Sequence, residues 1–181
     1  MATYVNNLRL KEITTGDEDG TWGTSTNTNL ELIGDGLGYG TKAVAADANE
    51  TFTMPDATAD GTRAMYLKFT SGVTLTGTRT LTLGPDTVSK VWIIENATTG
   101  GQTITIKQGS GATVDVLTGT KKMVYTDGAG AGAAVYDASP TAASGTVTSV
   151  DVSGGTTGLT TSGGPITSSG TITVAGTLAI A

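Results

Sequence analysis

The chain has 181 residues, a formal net charge of −6 and neither Cys nor His. Without thiols and imidazoles it can form no disulfide and no ordinary zinc site, and only carboxylate, Lys, Tyr, Ser and Thr side chains remain for catalysis. The 10 Lys and Arg residues are scattered, so no basic stripe is available to follow a phosphate backbone. We therefore expect no enzyme, no cofactor and no nucleic-acid partner.

Thr and Gly dominate the composition, with 38 and 27 residues, and favour strands and turns over helices. The first ten residues lack the charged and apolar regions of a signal peptide, and no apolar run is long enough to cross a membrane. We expect a protein that is kept in a cytoplasm and does not insert into a membrane. Changes in composition divide the chain into an N-terminal region 1–42, a β-rich region 43–138 and a Gly/Thr/Ser-rich region 139–181.

The N-terminal region contains the one segment with helical periodicity. Leu30, Ile33 and Leu37 are spaced for one face of a short helix of about three turns. The N-cap is expected within 24–26, and the glycine-rich segment 34–40 is expected to end the helix. Leu8 and Leu10, further upstream, are expected to pair as a short strand.

Apolar residues of this region predict a contact surface. Trp22 follows a turn-rich segment and is expected to hold the incoming chain against the helix. We predict that Trp22, Leu30, Ile33 and Leu37 bind a partner; the alternative is a small core within the chain. The acidic segment 16–20 lacks the spacing of a calcium loop and predicts a solvated turn, so no metal site is expected.

The middle region alternates apolar and polar residues between regularly spaced turns. The predicted inward pairs are Leu67/Phe69 with Met65, Leu81/Leu83, Val91/Ile93, Ile104/Ile106, Val114/Val116 and Met123/Tyr125. This pattern predicts an antiparallel β-sandwich or a jelly-roll-like domain. Trp92 interrupts the alternation, which indicates a strand covered on both faces or a contact between subunits.

The C-terminal tract, Thr146 to Leu178, has strand-like alternation at Val150/Val152 and Ile172/Val174 but almost no bulky side chains. Such a segment cannot build a core of its own. Identical copies that press their small apolar faces together around a shared axis can order it. The tract therefore predicts a trimeric β shaft.

Several segments resemble bacteriophage tail fibre proteins, particularly those of phages of aquatic bacteria. The segments that carry the resemblance are Asn7–Leu10, Thr21–Gly23, Asn27–Ile33, Leu67–Thr70, Lys90–Asn96, Gly100–Ile106, Val124–Gly128, Val135–Ala138 and the C-terminal tract. In that family the N-terminal part attaches the fibre to the tail body. The resemblance implies a homotrimeric virion protein, assembled in the host bacterial cytoplasm, that supports attachment to a host receptor.

The same resemblance implies further fibre or tip proteins, or a host surface glycan, as additional partners. A head fibre or capsid decoration protein is an alternative reading, and a carbohydrate-binding adhesin module is another. Trp22, Trp92, Tyr66, Tyr125 and Tyr136 could include a platform for sugar stacking. A polysaccharide-degrading spike is disfavoured because such enzymes need a long β-helix.

Overall fold

A computed structural model of the chain describes residues 2–140 and 148–177. It divides into two compact units, Met1–Ser139 and Pro140–Ala181. The elements of the first unit are α1 (Trp22–Leu37), β1 (Tyr39–Val44), β2 (Glu50–Thr53), β3 (Tyr66–Ser71), β4 (Arg79–Gly84), β5 (Val91–Asn96), β6 (Ile104–Lys107), β7 (Val114–Val116), β8 (Lys121–Thr126) and β9 (Val135–Asp137). The second unit contains β10 (Leu159–Ser162) and β11 (Thr173–Gly176). The predicted mainly β fold with a short N-terminal helix is confirmed.

The first six strands of the first unit alternate between two sheets. One sheet has five strands in the order β1-β3-β5-β8-β9, and the other has four in the order β2-β4-β6-β7. Strands β1 to β6 pair in parallel within their own sheets, because the chain winds around the core in successive circuits. Strands β7, β8 and β9 then join the two sheets in antiparallel orientation. The prediction of an antiparallel domain is therefore wrong for these first six strands. The reason is that each chain reversal crosses to the opposite sheet instead of forming a hairpin.

The core lies between the two sheets. Phe52 of β2 and Phe69 of β3 meet across it with ring centroids 5.0 Å apart. Predicted inward residues of β3, β4, β6 and β7 are buried: Leu67, Phe69, Leu81, Leu83, Ile104, Ile106, Val114 and Val116. Periodicity alone thus identified the inner face of these four strands.

Two strands face the opposite way from the prediction. Trp92 and Ile94 of β5 are buried in place of Val91 and Ile93. On β8, Val124 and Thr126 are buried and Met123 and Tyr125 are exposed. Met65, which precedes β3, is also partly exposed. Both strands carry apolar residues on each face, so alternation could not determine which face points inward.

The helix differs from its prediction at both ends. It begins at Trp22 with Thr21 as N-cap, so the segment 24–26 lies inside it, and it continues through Gly34 and Gly36 to Leu37. Glycine in a helix costs about 1 kcal/mol relative to alanine, but tertiary packing overrides this propensity. A Cβ on Gly36 would lie 3.0 Å from a methyl group of Leu8. The glycine therefore permits a close contact that compensates for its low propensity.

The second unit has a two-stranded antiparallel sheet formed by β10 and β11, and a bridge between Val150 and Ile166. Val150, Val152 and Val174 are exposed. Thr146 and Leu178, the ends of the predicted shaft tract, lie outside the described residues. The trimeric shaft stays a prediction.

Two glycines provide a matched test of the first unit. An alanine Cβ at Gly40 of β1 would lie 2.3 Å from the carbonyl oxygen of Gly61, whereas one at Gly34 of the helix meets nothing within 4 Å. We expect Gly40→Ala to lower the free energy of unfolding by about 1–3 kcal/mol through overpacking, and Gly34→Ala to raise it by about 1 kcal/mol. Urea unfolding of both variants measures these shifts. Equal stability of Gly40→Ala and the wild type would contradict the close approach.

Candidate docking surface

One face of the helix is fixed to the segment that precedes it. The Asn29 side chain accepts a hydrogen bond from the backbone N–H of Lys11 at 3.0 Å and donates one to the Lys11 carbonyl at 2.8 Å. Lys11 also donates to the Ser25 hydroxyl and pairs with Glu18. Leu32 is buried on the same side of the helix. These contacts leave the helix little freedom to rotate about its axis.

The N-terminal segment is in turn attached to the β-strands' connecting loops. Arg9 pairs with Asp56 at 2.7 Å, and the Asn7 side chain accepts from the backbone N–H of Ser89 at 2.9 Å. Leu8 and Leu10 do not form the predicted strand, because the chain turns at this point and Arg9 adopts a φ of 53°. The N-terminal segment therefore connects the helix to the loops of the β-strands and holds it in place.

The predicted docking residues are exposed on the helix. Trp22, Leu30, Ile33 and Leu37 have exposed fractions of 62%, 61%, 37% and 68%. Their spacing places them within an arc of roughly 80° on an α-helix, next to the fixed face. We call these four residues the helix stripe. The alternative of a small core within the chain is wrong, because a core would bury them.

A second apolar surface lies on the outer side of the five-stranded sheet. Register aligns Tyr39, Tyr66, Ile93 and Met123 in one row across β1, β3, β5 and β8. A neighbouring row joins Val91, Tyr125 and Tyr136. We call these seven residues the aromatic face. It holds four of the chain's five tyrosines.

Only part of the aromatic face was visible in the sequence, as a set of candidate sugar-stacking residues. This set contained Tyr66, Tyr125 and Tyr136 but grouped them with the two tryptophans. The structure separates the tryptophans from them: Trp22 belongs to the helix stripe, and Trp92 is buried in the core. Tyr39 was missed because its neighbour in the row, Tyr66, lies 27 positions away and only the parallel register aligns them.

The outer side of the four-stranded sheet has a different chemistry. Its outward side chains alternate with buried apolar residues and are Thr51, Thr53, Thr80, Thr82, Thr105, Lys107 and Asp115. The Thr105 hydroxyl donates to Asp115 at 2.6 Å. We call this surface the threonine face. It presents hydroxyl and charged groups to solvent, as the outer side of a half-buried sheet usually does.

Several charged groups beside the aromatic face are paired within the chain. The Tyr66 hydroxyl donates to Glu95 at 2.5 Å, and this hydrogen bond raises the pKa of Tyr66 to about 12. Lys68 lies 3.6 Å from the same carboxylate. Lys122 and Asp137 form a further pair at 2.9 Å. Tyr66, Glu95, Lys68, Lys122 and Asp137 therefore already have partners beside the rings.

A pocket of about 340 Å³ lies beside the C-terminal end of the helix and is lined by Asp35, Tyr39, Ala59, Asp60, Gly61 and Ala64. Asp60 accepts hydrogen bonds from Lys42 and from the backbone and hydroxyl of Thr62. Asp60 thus caps the short turn Gly61–Arg63. Among the described residues that line the pocket, Asp35 is then the one carboxylate left for a ligand. Among residues 2–140 and 148–177, no cluster of three or more acidic side chains could hold a metal ion.

Lys90 is a half-buried cation beside Trp92. Its Nζ lies 4.8 Å from the centroid of the Trp92 ring and donates to the carbonyl oxygens of Ala64 and Val91. Burial, together with the nearby charge of Arg63, lowers the pKa of Lys90 to about 8. Lys90 therefore covers the buried indole and has no carboxylate partner among the described residues.

This lowered pKa predicts how stability depends on pH. Between pH 8 and 10 the folded chain releases the Lys90 proton while the unfolded chain, with an ordinary lysine pKa near 10.4, retains it. The unfolded state then binds more protons, so the free energy of unfolding should rise by about 1–2 kcal/mol across this range. Urea unfolding at several pH values measures the rise. Lys90→Met should remove it, and an unchanged rise in this variant would assign the effect to another group.

No protein-family model, curated protein or solved structure matches the chain. Within the described residues, no helix has the length and apolar character needed to cross a membrane.

Proposed function

We propose that the chain is a structural subunit of a bacteriophage tail appendage, a homotrimeric tail fibre that docks on the tail body through its helix stripe. The observation that carries this proposal is the placement of four large apolar side chains on an exposed face of a helix whose adjacent face is fixed: Trp22, Leu30, Ile33 and Leu37. Large apolar anchors on a rigid element are typical of the energetic centre of a protein interface.

The tract after Ser139 supports the same proposal. Its described part is rich in Gly, Ser and Thr and exposes its valines. A segment of this kind gains order when identical copies cover its apolar positions, as in a fibre shaft. Multiple copies at one tail then convert weak contacts with a host surface into firm attachment. The protein's role in this proposal is mechanical, and no catalytic group is assigned.

Localisation in the virion tests the proposal. A virion that carries a small epitope tag on the threonine face should show the label on the tail by electron microscopy. Label on the capsid would identify a head fibre or decoration protein instead, and unlabelled virions would overturn the virion assignment. Light scattering of the purified chain should give a mass of three subunits, and a monomer mass would overturn the trimer.

The exposed tyrosines favour a second candidate, a carbohydrate-binding module, because aromatic rings can stack on sugars. The intact protein should then bind isolated host polysaccharide without releasing oligosaccharides. Binding in the absence of any virion association would favour this module over the fibre.

A further inference from the structure

We propose that the aromatic face is a contact surface between copies of this chain, with three five-stranded sheets turned toward a common axis. The inference deepens the homotrimer proposed above and rests on it for the number of copies. It concerns residues 39–137, whereas the expected shaft lies after residue 138.

The composition of the aromatic face is that of an interface. Tyrosine and methionine are enriched at protein contacts, and charged residues are depleted from their centres. Across the sheet the central row contains Tyr39, Tyr66, Ile93 and Met123 and no charged side chain. Met123 and Tyr125 are 36% and 40% exposed in the single chain. A partner that covers this row would remove these side chains from water.

The threonine face provides a comparison within the same molecule. Both surfaces are outer sides of sheets that share one core, and both are built on parallel strands with similar turns. Parallel sheets are usually covered on both faces, and a strand covered on both faces reads as a continuous apolar run. The segment 91–94 of β5 is such a run, Val-Trp-Ile-Ile, whereas β4 alternates Thr with Leu. The sequence of β5 is therefore that of a strand covered on both faces, whereas the sequence of β4 is that of a strand with one solvated face.

The polar groups around the rings favour a protein partner over a sugar. A bound sugar needs free donors and acceptors beside the aromatic ring, because its hydroxyls must be satisfied on burial. Here Tyr66 and Glu95 satisfy each other, and Lys122 is paired with Asp137. Tyr125 and Tyr136 stack on each other with ring centroids 5.0 Å apart. What remains for a partner is mainly apolar surface.

The area of the aromatic face is that of a secondary contact between chains that also associate through another part of the molecule. The outer side of this sheet has four strands of six residues and one of three. With about 3.3 Å per residue and about 4.8 Å between strands, its flat area is roughly 430 Å². A stable interface between free proteins takes about 800 Å² from each partner. The aromatic face alone falls short of this value. It suffices when a second contact, such as a shaft, raises the effective concentration of the neighbouring copies.

Photo-cross-linking of the full chain tests the inference. Because the chain has no Cys, Ile93→Cys at the centre of the aromatic face and Thr82→Cys at the centre of the threonine face each provide one attachment point. Both variants are labelled with benzophenone maleimide and irradiated at about 10 μM, where an assembled contact at mM effective concentration should cross-link roughly 100-fold faster than random collision. Tyr136→Cys at the edge of the face repeats the test in case a central label blocks the contact.

Covalent dimers and trimers from Ile93→Cys or Tyr136→Cys, and background levels from Thr82→Cys, are the expected result. A mass of three subunits with background cross-linking at all three positions would overturn this inference and leave the proposed trimer standing with its contacts elsewhere. A monomer mass would overturn both. Loss of polysaccharide binding in Ile93→Asp, without cross-linking at Ile93→Cys, would identify the face as a sugar platform and overturn the inference.

Discussion

Under the proposed tail-fibre function, virions assembled with Trp22→Ala are expected to carry far fewer copies of this protein than wild-type virions. Trp22 is 62% exposed at the first residue of the helix, where a partner could bury the whole indole. Truncation of such an anchor costs on the order of 2–4 kcal/mol of docking energy, or roughly 30- to 700-fold in affinity. Leu30→Ser should act in the same direction with a smaller effect. Quantitative immunoblots of purified virions measure the occupancy.

Glu31→Gln is the matched control for docking. Glu31 lies on the same helix, is exposed, and is turned away from the helix stripe by about half a turn. It should leave occupancy unchanged. Trp22→Ala should also leave the urea midpoint of the purified protein close to that of the wild type, because an exposed side chain adds little to the core. Normal occupancy of Trp22→Ala and Leu30→Ser virions would show that the helix stripe is not the docking surface.

Trp92→Ala is expected to have the largest effect on stability. Trp92 is 2% exposed, packs between the two sheets, and donates a hydrogen bond from its Nε1 to the carbonyl oxygen of Thr62 at 3.0 Å. Removal of a buried Trp costs about 3–5 kcal/mol through lost transfer energy and the cavity left behind. The variant also leaves the Thr62 carbonyl without this donor and exposes Lys90.

The two tryptophans of the chain serve as controls for each other. Trp22→Ala should change docking and not folding, and Trp92→Ala should change folding first. Urea unfolding with tryptophan fluorescence separates them, because each variant retains one indole as the reporter. If Trp92→Ala unfolds at the wild-type urea midpoint, the burial of Trp92 described above is incorrect.

The positions of the strands could be predicted from the sequence, but the inward face of β5 and the parallel pairing could not. Alternation placed Leu81 and Leu83 in the core because β4 has hydroxyl groups on its other face. On β5 the segment 91–94 is apolar at every position, so the inward residues were misassigned. Parallel pairing could not be read from periodicity, since a turn between sheets and a turn within a hairpin have the same residue types.

The residues of the candidate site could be predicted from the sequence, but the length of the helix and its contacts with the N-terminal segment could not. The spacing of Leu30, Ile33 and Leu37 identified one apolar stripe, and the structure confirms that these residues share a helix. The helix length was missed because the contact between Gly36 and Leu8 joins positions far apart in the sequence. The two-bond pairing of Asn29 with Lys11 is likewise invisible to local patterns.

The parallel stack of strands also makes the length of this protein adjustable. The chain makes three circuits around the core, and each circuit adds one strand to each sheet: β1 and β2, then β3 and β4, then β5 and β6. Tyr39, Tyr66 and Ile93 occupy the same position in successive circuits. The antiparallel strands β7, β8 and β9 close the stack after the third circuit. An extra circuit inserted between the second and third would pair with both and leave either end unchanged. Duplication of a single segment of the gene could therefore lengthen the stack in steps of one strand spacing, about 4.8 Å, without a change in the helix or in the closing strands.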